Sequence, residues 1–108
     1  MTTANSTIVT IAAHYENGAP HLAARLSVAE AFYYGGPEAA LEEVALASVD
    51  LAPIVASGEL VHYLAWDSLQ EVAENLGLVR IFGQDAIQEA IAFGPRAYSS
   101  IDTSARAA

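Results

Sequence analysis

Alanine supplies much of the apolar content of this chain, and that limits what it can build. Hydrophobic residues make up 54% of the 108 positions, but alanine raises helix propensity more than it fills volume. A chain of this length reads as a single small domain, 1–108, with one modest core and a frayed tail from about residue 99. The bulk of that core must come from Leu, Ile and Val with Phe32, Tyr33, Tyr63, Trp66 and Phe93. The hydrophobic share is too high for intrinsic disorder. No cysteine is present, which excludes disulfides, thiolate metal sites and a cysteine nucleophile and favours a reducing compartment. The segment Met1–Thr7 lacks the basic residues of a signal peptide, and no apolar run reaches membrane-spanning length, so the expected location is cytoplasmic. Asn5-Ser6-Thr7 matches a glycosylation acceptor, which has no meaning without secretion.

Residues 7–15 alternate like a strand, and Asn17-Gly18 is a strong hairpin turn. In a two-residue loop Glu16 faces Ala19, and Val9, Ile11, Ala13 and Tyr15 share a face with Leu26, Ala24, Leu22 and Pro20. A competing reading makes 20–34 helical, since Leu22, Leu26, Ala29 and Phe32 or Tyr33 recur at helical spacing behind Pro20. The hairpin is placed ahead for 20–26, with helix from about 27. Gly35-Gly36-Pro37 breaks the chain and opens a new helix, which Pro53 ends or kinks. Leu60–Ala65 reads as a strand or a buried helical turn. The spacing of Leu69, Val72, Ala73 and Leu76, behind a Ser68–Glu71 capping box, predicts a helix over 68–76 that stops at Gly77. Val79–Phe82 reads as a short strand, and Asp85 with Gln88 opens a last helix closed by Gly94-Pro95. The expected fold class is therefore α+β: an N-terminal antiparallel β-hairpin packed with three to four short helices, with room for one or two further strands. An all-α arrangement with a lone N-terminal strand is the alternative.

The chain carries thirteen Asp and Glu against four basic residues, all arginine, for a net charge of −9. Such a surface repels nucleic acid and anionic membrane and attracts a basic partner. Asp67, Glu71 and Glu74 fall at i, i+4, i+7, and Glu38 and Glu42 repeat the spacing on the earlier helix. Their carboxylates recur about every 5–6 Å, which can imitate a phosphate track. Ordinarily such rows only solvate a helix; the absence of lysine to balance them is what sets these apart.

Catalytic signals are sparse. The hairpin register would oppose His14 and His21 at roughly 5 Å, close enough to share a metal, with Glu16 or His62 as third ligand. Two histidines without a fixed third ligand read first as a solvated pair. Asp67 beside Trp66, near His62 and Tyr63, is an aromatic-lined acidic cluster, but these aromatics serve equally as core and Asp67 sits where a helix would begin. No phosphate loop, serine elbow or HExxH motif occurs. Leu69–Leu78 looks like half of a helix-turn-helix, yet the segment after it offers Gln84, Asp85, Gln88 and Glu89 where DNA phosphates would approach.

The stretch Ile11-Ala-Ala-His-Tyr15-Glu16-Asn17-Gly18, followed by Ala24-Arg25, resembles a segment of a small phage anti-CRISPR protein of the type I-F class. The resemblance covers barely a tenth of the chain. It implies that Tyr15, before the turn, lies on a sheet face that binds a crRNA-guided surveillance complex. The expected function is thus a non-enzymatic acidic inhibitor, without cofactor or metal, that docks on a basic, nucleic-acid-handling protein and contacts neither nucleic acid nor membrane. Its oligomeric state is left open. Tyr15, Glu16, Glu38, Glu42, Asp67, Glu71 and Glu74 are the candidate partner-binding residues, and Tyr33 or Tyr34 are further candidate anchors. A degenerate helix-turn-helix regulator and a small metal-dependent enzyme using His14 and His21 are the alternatives.

Overall fold

The computed structural model describes residues 19–107, with side chains described as far as Ser99. Among the described residues the chain is all-α: α1 (Pro20–Ala56), α2 (His62–Asn75), α3 (Leu78–Phe82) and α4 (Gln84–Ala107). This overturns the α+β expectation. The proposed second strand, 20–26, is the first two turns of α1, and the proposed strand at 79–82 lies in α3. The first strand, 7–15, and the Asn17-Gly18 turn lie outside the described residues.

The physical reasons are local and tertiary together. Pro20 sits in the first turn, where its missing N–H costs nothing. Ala23, Ala24 and Val28 then bury completely or nearly so, a helical stripe that an alternating strand would have split between two faces. At Val79–Phe82, β-branched content favoured a strand, but positive-φ glycines at 77 and 83 delimit a single short helix anchored by the buried Leu78.

Helix α1 is two arms folded against each other. Gly36 takes φ 86° and ψ −172°, a conformation essentially restricted to glycine, and Pro37 opens the second arm. The Ser27 hydroxyl donates to Glu43 Oε2 at 3.2 Å across the fold. In an unbroken helix those residues would stand about 24 Å apart along the axis. Val28 of the first arm and Ala40 and Val44 of the second join one core. The second arm continues past Pro53 to Ala56. Proline leaves the Val49 carbonyl without its ladder donor, and because both residues are exposed, water can replace it.

Helix α2 begins six residues before the expected capping box, so Ser68 is buried in mid-helix and caps nothing. The apolar stripe gains Ala65, fully buried one turn ahead of Leu69, and this packing replaces a side-chain cap. Gly77, at φ 78°, supplies the left-handed turn that ends α2.

Helix α4 runs through Gly94-Pro95 instead of stopping there. Gly94 is where α4 crosses the second arm of α1. A Cβ on it would lie 2.1 Å from the carbonyl carbon and oxygen of Ser48. The buried Ser48 hydroxyl accepts from the Gly94 N–H at 2.8 Å and lies 2.7 Å from the Ala45 carbonyl and 3.2 Å from that of Ala90. Its one proton can serve either carbonyl, so the pair is polar but satisfied.

Most of the bulky aromatics stay out of the core. The core is lined mainly by alanine, valine and leucine, with Phe32 and Trp66 at its margin. Tyr33, Tyr63 and Phe93 are instead exposed, contrary to their expected core role. At the Gly94–Ser48 crossing the two backbones come too close to admit a ring between them. No described helix is long and apolar enough to cross a membrane.

Candidate functional site

The residues with most scope for recognition converge where α2 and α4 lie side by side. There an open groove of about 630 Å³ is lined by Trp66, Asp67, Gln70 and Glu74 from α2 and by Gln84, Gln88, Ile91, Pro95 and Arg96, among others, from α4. Its volume is in the range of pockets that hold a small ligand or a side chain of a partner.

A reciprocal amide pair ties the two helices across this groove. Gln70 Nε2 donates to Gln84 Oε1 at 2.8 Å, and Gln84 Nε2 donates to Gln70 Oε1 at 2.9 Å. Gln70 Nε2 also donates to Glu74 Oε2 at 2.8 Å, one helical turn on. The pair therefore fixes Glu74 as well as the helix spacing. A neutral donor leaves the Glu74 charge in place. Asp67, seven residues earlier on the same face, stands about 10 Å away along the axis and is exposed.

The one cation lining the groove among the described residues is already engaged. Arg96 Nη1 and Nη2 donate to the two oxygens of Glu89 at 3.0 and 3.3 Å. That fork holds the Glu89 carboxyl below its ordinary range and raises Arg96 further, through the hydrogen bonds first and the opposite charge second.

The expected acidic row Asp67, Glu71, Glu74 is thus divided. Glu71 leaves the groove side and pairs with Arg25 of α1 at 2.8 Å, while Asp67 and Glu74 line the groove. Glu38 and Glu42 are exposed on the second arm of α1. Nearby, burial pushes the Glu43 carboxyl up, against the opposing Ser27 hydrogen bond, and burial likewise raises Asp50. Tyr33 and Tyr34 stand exposed beside the Gly36 reversal, edge to face with centroids 4.9 Å apart.

Tyr15, Glu16 and His14 lie outside the described residues. His21 is not on a strand but in the first turn of α1, so the cross-strand geometry that would have set it opposite His14 does not exist. Its Nδ1 is buried and has no hydrogen-bond partner among the described residues. His62 is exposed at the start of α2, edge to face with Tyr63. Among the described residues no three His, Asp or Glu side chains are grouped to hold a metal. Asp85, Gln88 and Glu89, where a recognition helix would present itself to DNA, are exposed on α4.

Sequence reasoning singled out Asp67, Trp66 and Glu74 but missed Gln70 and Arg96 as site residues. The Gln70–Glu74 spacing of i, i+4 was a usable local signal. The bond from Gln70 to Gln84 spans a turn, a short helix and a second turn, and no periodicity announces it. No protein-family model, curated protein or solved structure matches this chain.

Proposed function

We propose that this chain is a non-enzymatic, acidic docking protein of the cytoplasm that binds a basic surface of a nucleic-acid-handling protein and inhibits it by occupying that surface. The observation that carries the reading is the placement of its charge. Asp67 and Glu74 line an open groove beside Trp66, Glu38 and Glu42 stand exposed on another helix, and two of the chain's four arginines are consumed by Glu71 and Glu89. Electrostatic steering of this kind speeds encounter with a surface built for polyanions, and an aromatic anchor supplies the desolvated contact that charge alone does not. Phage counter-defence, as an anti-CRISPR protein, is one setting in which such a protein would act.

The test is affinity capture from a bacterial lysate containing CRISPR complexes, with nuclease treatment and a salt series. A nucleic-acid-handling protein retained after nuclease, released by salt, and displaced from its nucleic acid by the added chain supports the reading. Capture that needs the nucleic acid, or a partner whose nucleic-acid binding is unaffected, would refute it.

A further inference from the structure

We infer that the α2–α4 groove is an arginine receptor: it takes the guanidinium of one arginine side chain presented by the partner. The inference rests on the docking reading above and names the chemistry that the site would recognise.

Three features of the groove point to a cation of that shape. First, it places two carboxylates, Asp67 and Glu74, against one arginine, and that arginine is committed by two hydrogen bonds to Glu89. An anionic ligand would have to break that fork; a cationic one finds Asp67 and Glu74 without any competing ion pair among the described residues. Second, Glu74 is held in place by Gln70, which is itself locked to Gln84. A fixed acceptor loses little conformational entropy when it binds. Third, the groove adds an apolar and aromatic wall to its carboxylates and amides, with Trp66, Ile91 and Pro95 in its lining. A guanidinium is planar, weakly hydrated and stacks on indole, whereas an ammonium is compact and strongly hydrated. Carboxylates beside an indole therefore favour arginine over lysine.

Trp66 is the only tryptophan of the chain and lines this groove, so its emission responds to occupancy there; because Trp66 also borders a smaller cavity with Val55 and Tyr98, a change counts only if Val55→Ala leaves it intact. The full chain is titrated with a blocked Gly-Arg-Gly peptide and, in parallel, with its lysine and citrulline counterparts. Side-chain amide resonances of Gln70 and Gln84 provide a second local readout in case emission is insensitive. The expected result is a saturable change with the arginine peptide, several-fold weaker binding of the lysine peptide and about tenfold weaker binding of the neutral citrulline peptide. The double variant Asp67→Asn/Glu74→Gln, both at exposed positions, should keep the wild-type melting temperature and lose affinity by about tenfold. Citrulline or lysine binding as tightly as arginine would overturn the inference, as would an unchanged affinity in the double variant or no response in either readout. Failure here is distinct from failure of the docking reading. If partner capture survives Asp67→Asn/Glu74→Gln but is lost on Glu38→Lys/Glu42→Lys, docking stands and the groove assignment falls.

Discussion

Replacing Gly94 with alanine sets two physical effects against each other with opposite signs. Intrinsic helix propensity favours alanine over mid-helix glycine by about 1 kcal/mol, so Gly94→Ala on an isolated helix would stabilise. In the folded chain the added Cβ would meet the Ser48 carbonyl carbon and oxygen at 2.1 Å and the Val49 nitrogen at 2.5 Å. These are backbone atoms, which cannot swing aside. Restoring ordinary contact at about 3.4 Å requires α4 and α1 to part by about 1.3 Å. That movement stretches the 2.8 Å bond from the Gly94 N–H to Ser48 Oγ past hydrogen-bonding range. The lost bond costs about 1 kcal/mol and the strained crossing about 1–3 kcal/mol. After the propensity gain is subtracted, the net destabilisation is about 2 kcal/mol, or about 8–16 °C in Tm for a domain of this size. Thermal and urea denaturation followed by circular dichroism measure it. Ser48→Ala alone should cost about 1 kcal/mol, because it removes the buried hydroxyl that accepts from the Gly94 N–H and donates to a helix carbonyl. Adding Ser48→Ala to Gly94→Ala should cost less than the two separately, since the bond is already broken and the colliding atoms remain. A Gly94→Ala variant as stable as the parent, or more so, would refute the backbone crossing.

Gly36→Ala should destabilise by about 1–3 kcal/mol although a Cβ there meets nothing, because φ 86° with ψ −172° is strained for any side-chain-bearing residue; a Tm equal to the parent's would show that the arms do not reverse there. Glu43 and Asp50 have raised carboxyl pKa values in the fold, so the native state holds protons that the unfolded chain has released. Their unfavourable contribution is absent below the ordinary carboxylate range and appears as pH rises through the native values. Glu43→Gln, which keeps an acceptor for Ser27, should therefore raise stability at pH 7 but not at pH 3, by less than about 1 kcal/mol given its partial exposure, as read by urea denaturation at the two pH values. Arg25→Ala should cost about 0.2–1 kcal/mol, as expected for a partly exposed ion pair, and should tighten binding to a basic partner by freeing Glu71; weaker binding in a competition assay would contradict the charge-steering reading.

Helical stripes and breaks were open to reading in the sequence because they depend on residues close along the chain. The glycine–proline break at 35–37, the left-handed stop at Gly77 and the stripe through Leu69, Val72, Ala73 and Leu76 all follow from backbone freedom or a 3.6-residue period. The same locality misled elsewhere. Glycine and proline at 94–95 read as a stop, yet α4 continues, because the absent Cβ serves the approach to Ser48. The hairpin register behind Asn17-Gly18 read as strand at 20–26, and Val79–Phe82 read as a short strand, where burial of Ala23, Ala24, Val28 and Leu78 decided for helix.

Charge and composition determined by themselves that this is an acidic chain, rich in helix formers and poor in bulk. Tertiary structure alone decided which carboxylates remain available. Helix packing brings Arg25 to Glu71 across 46 residues and Gln70 to Gln84 across 14, so one member of an apparently uniform row is neutralised and another is held in the groove between α2 and α4. The physical reason is range. Propensity and periodicity act within a turn or two of helix, whereas an ion pair or a groove depends on helices set side by side by the shape of their buried faces.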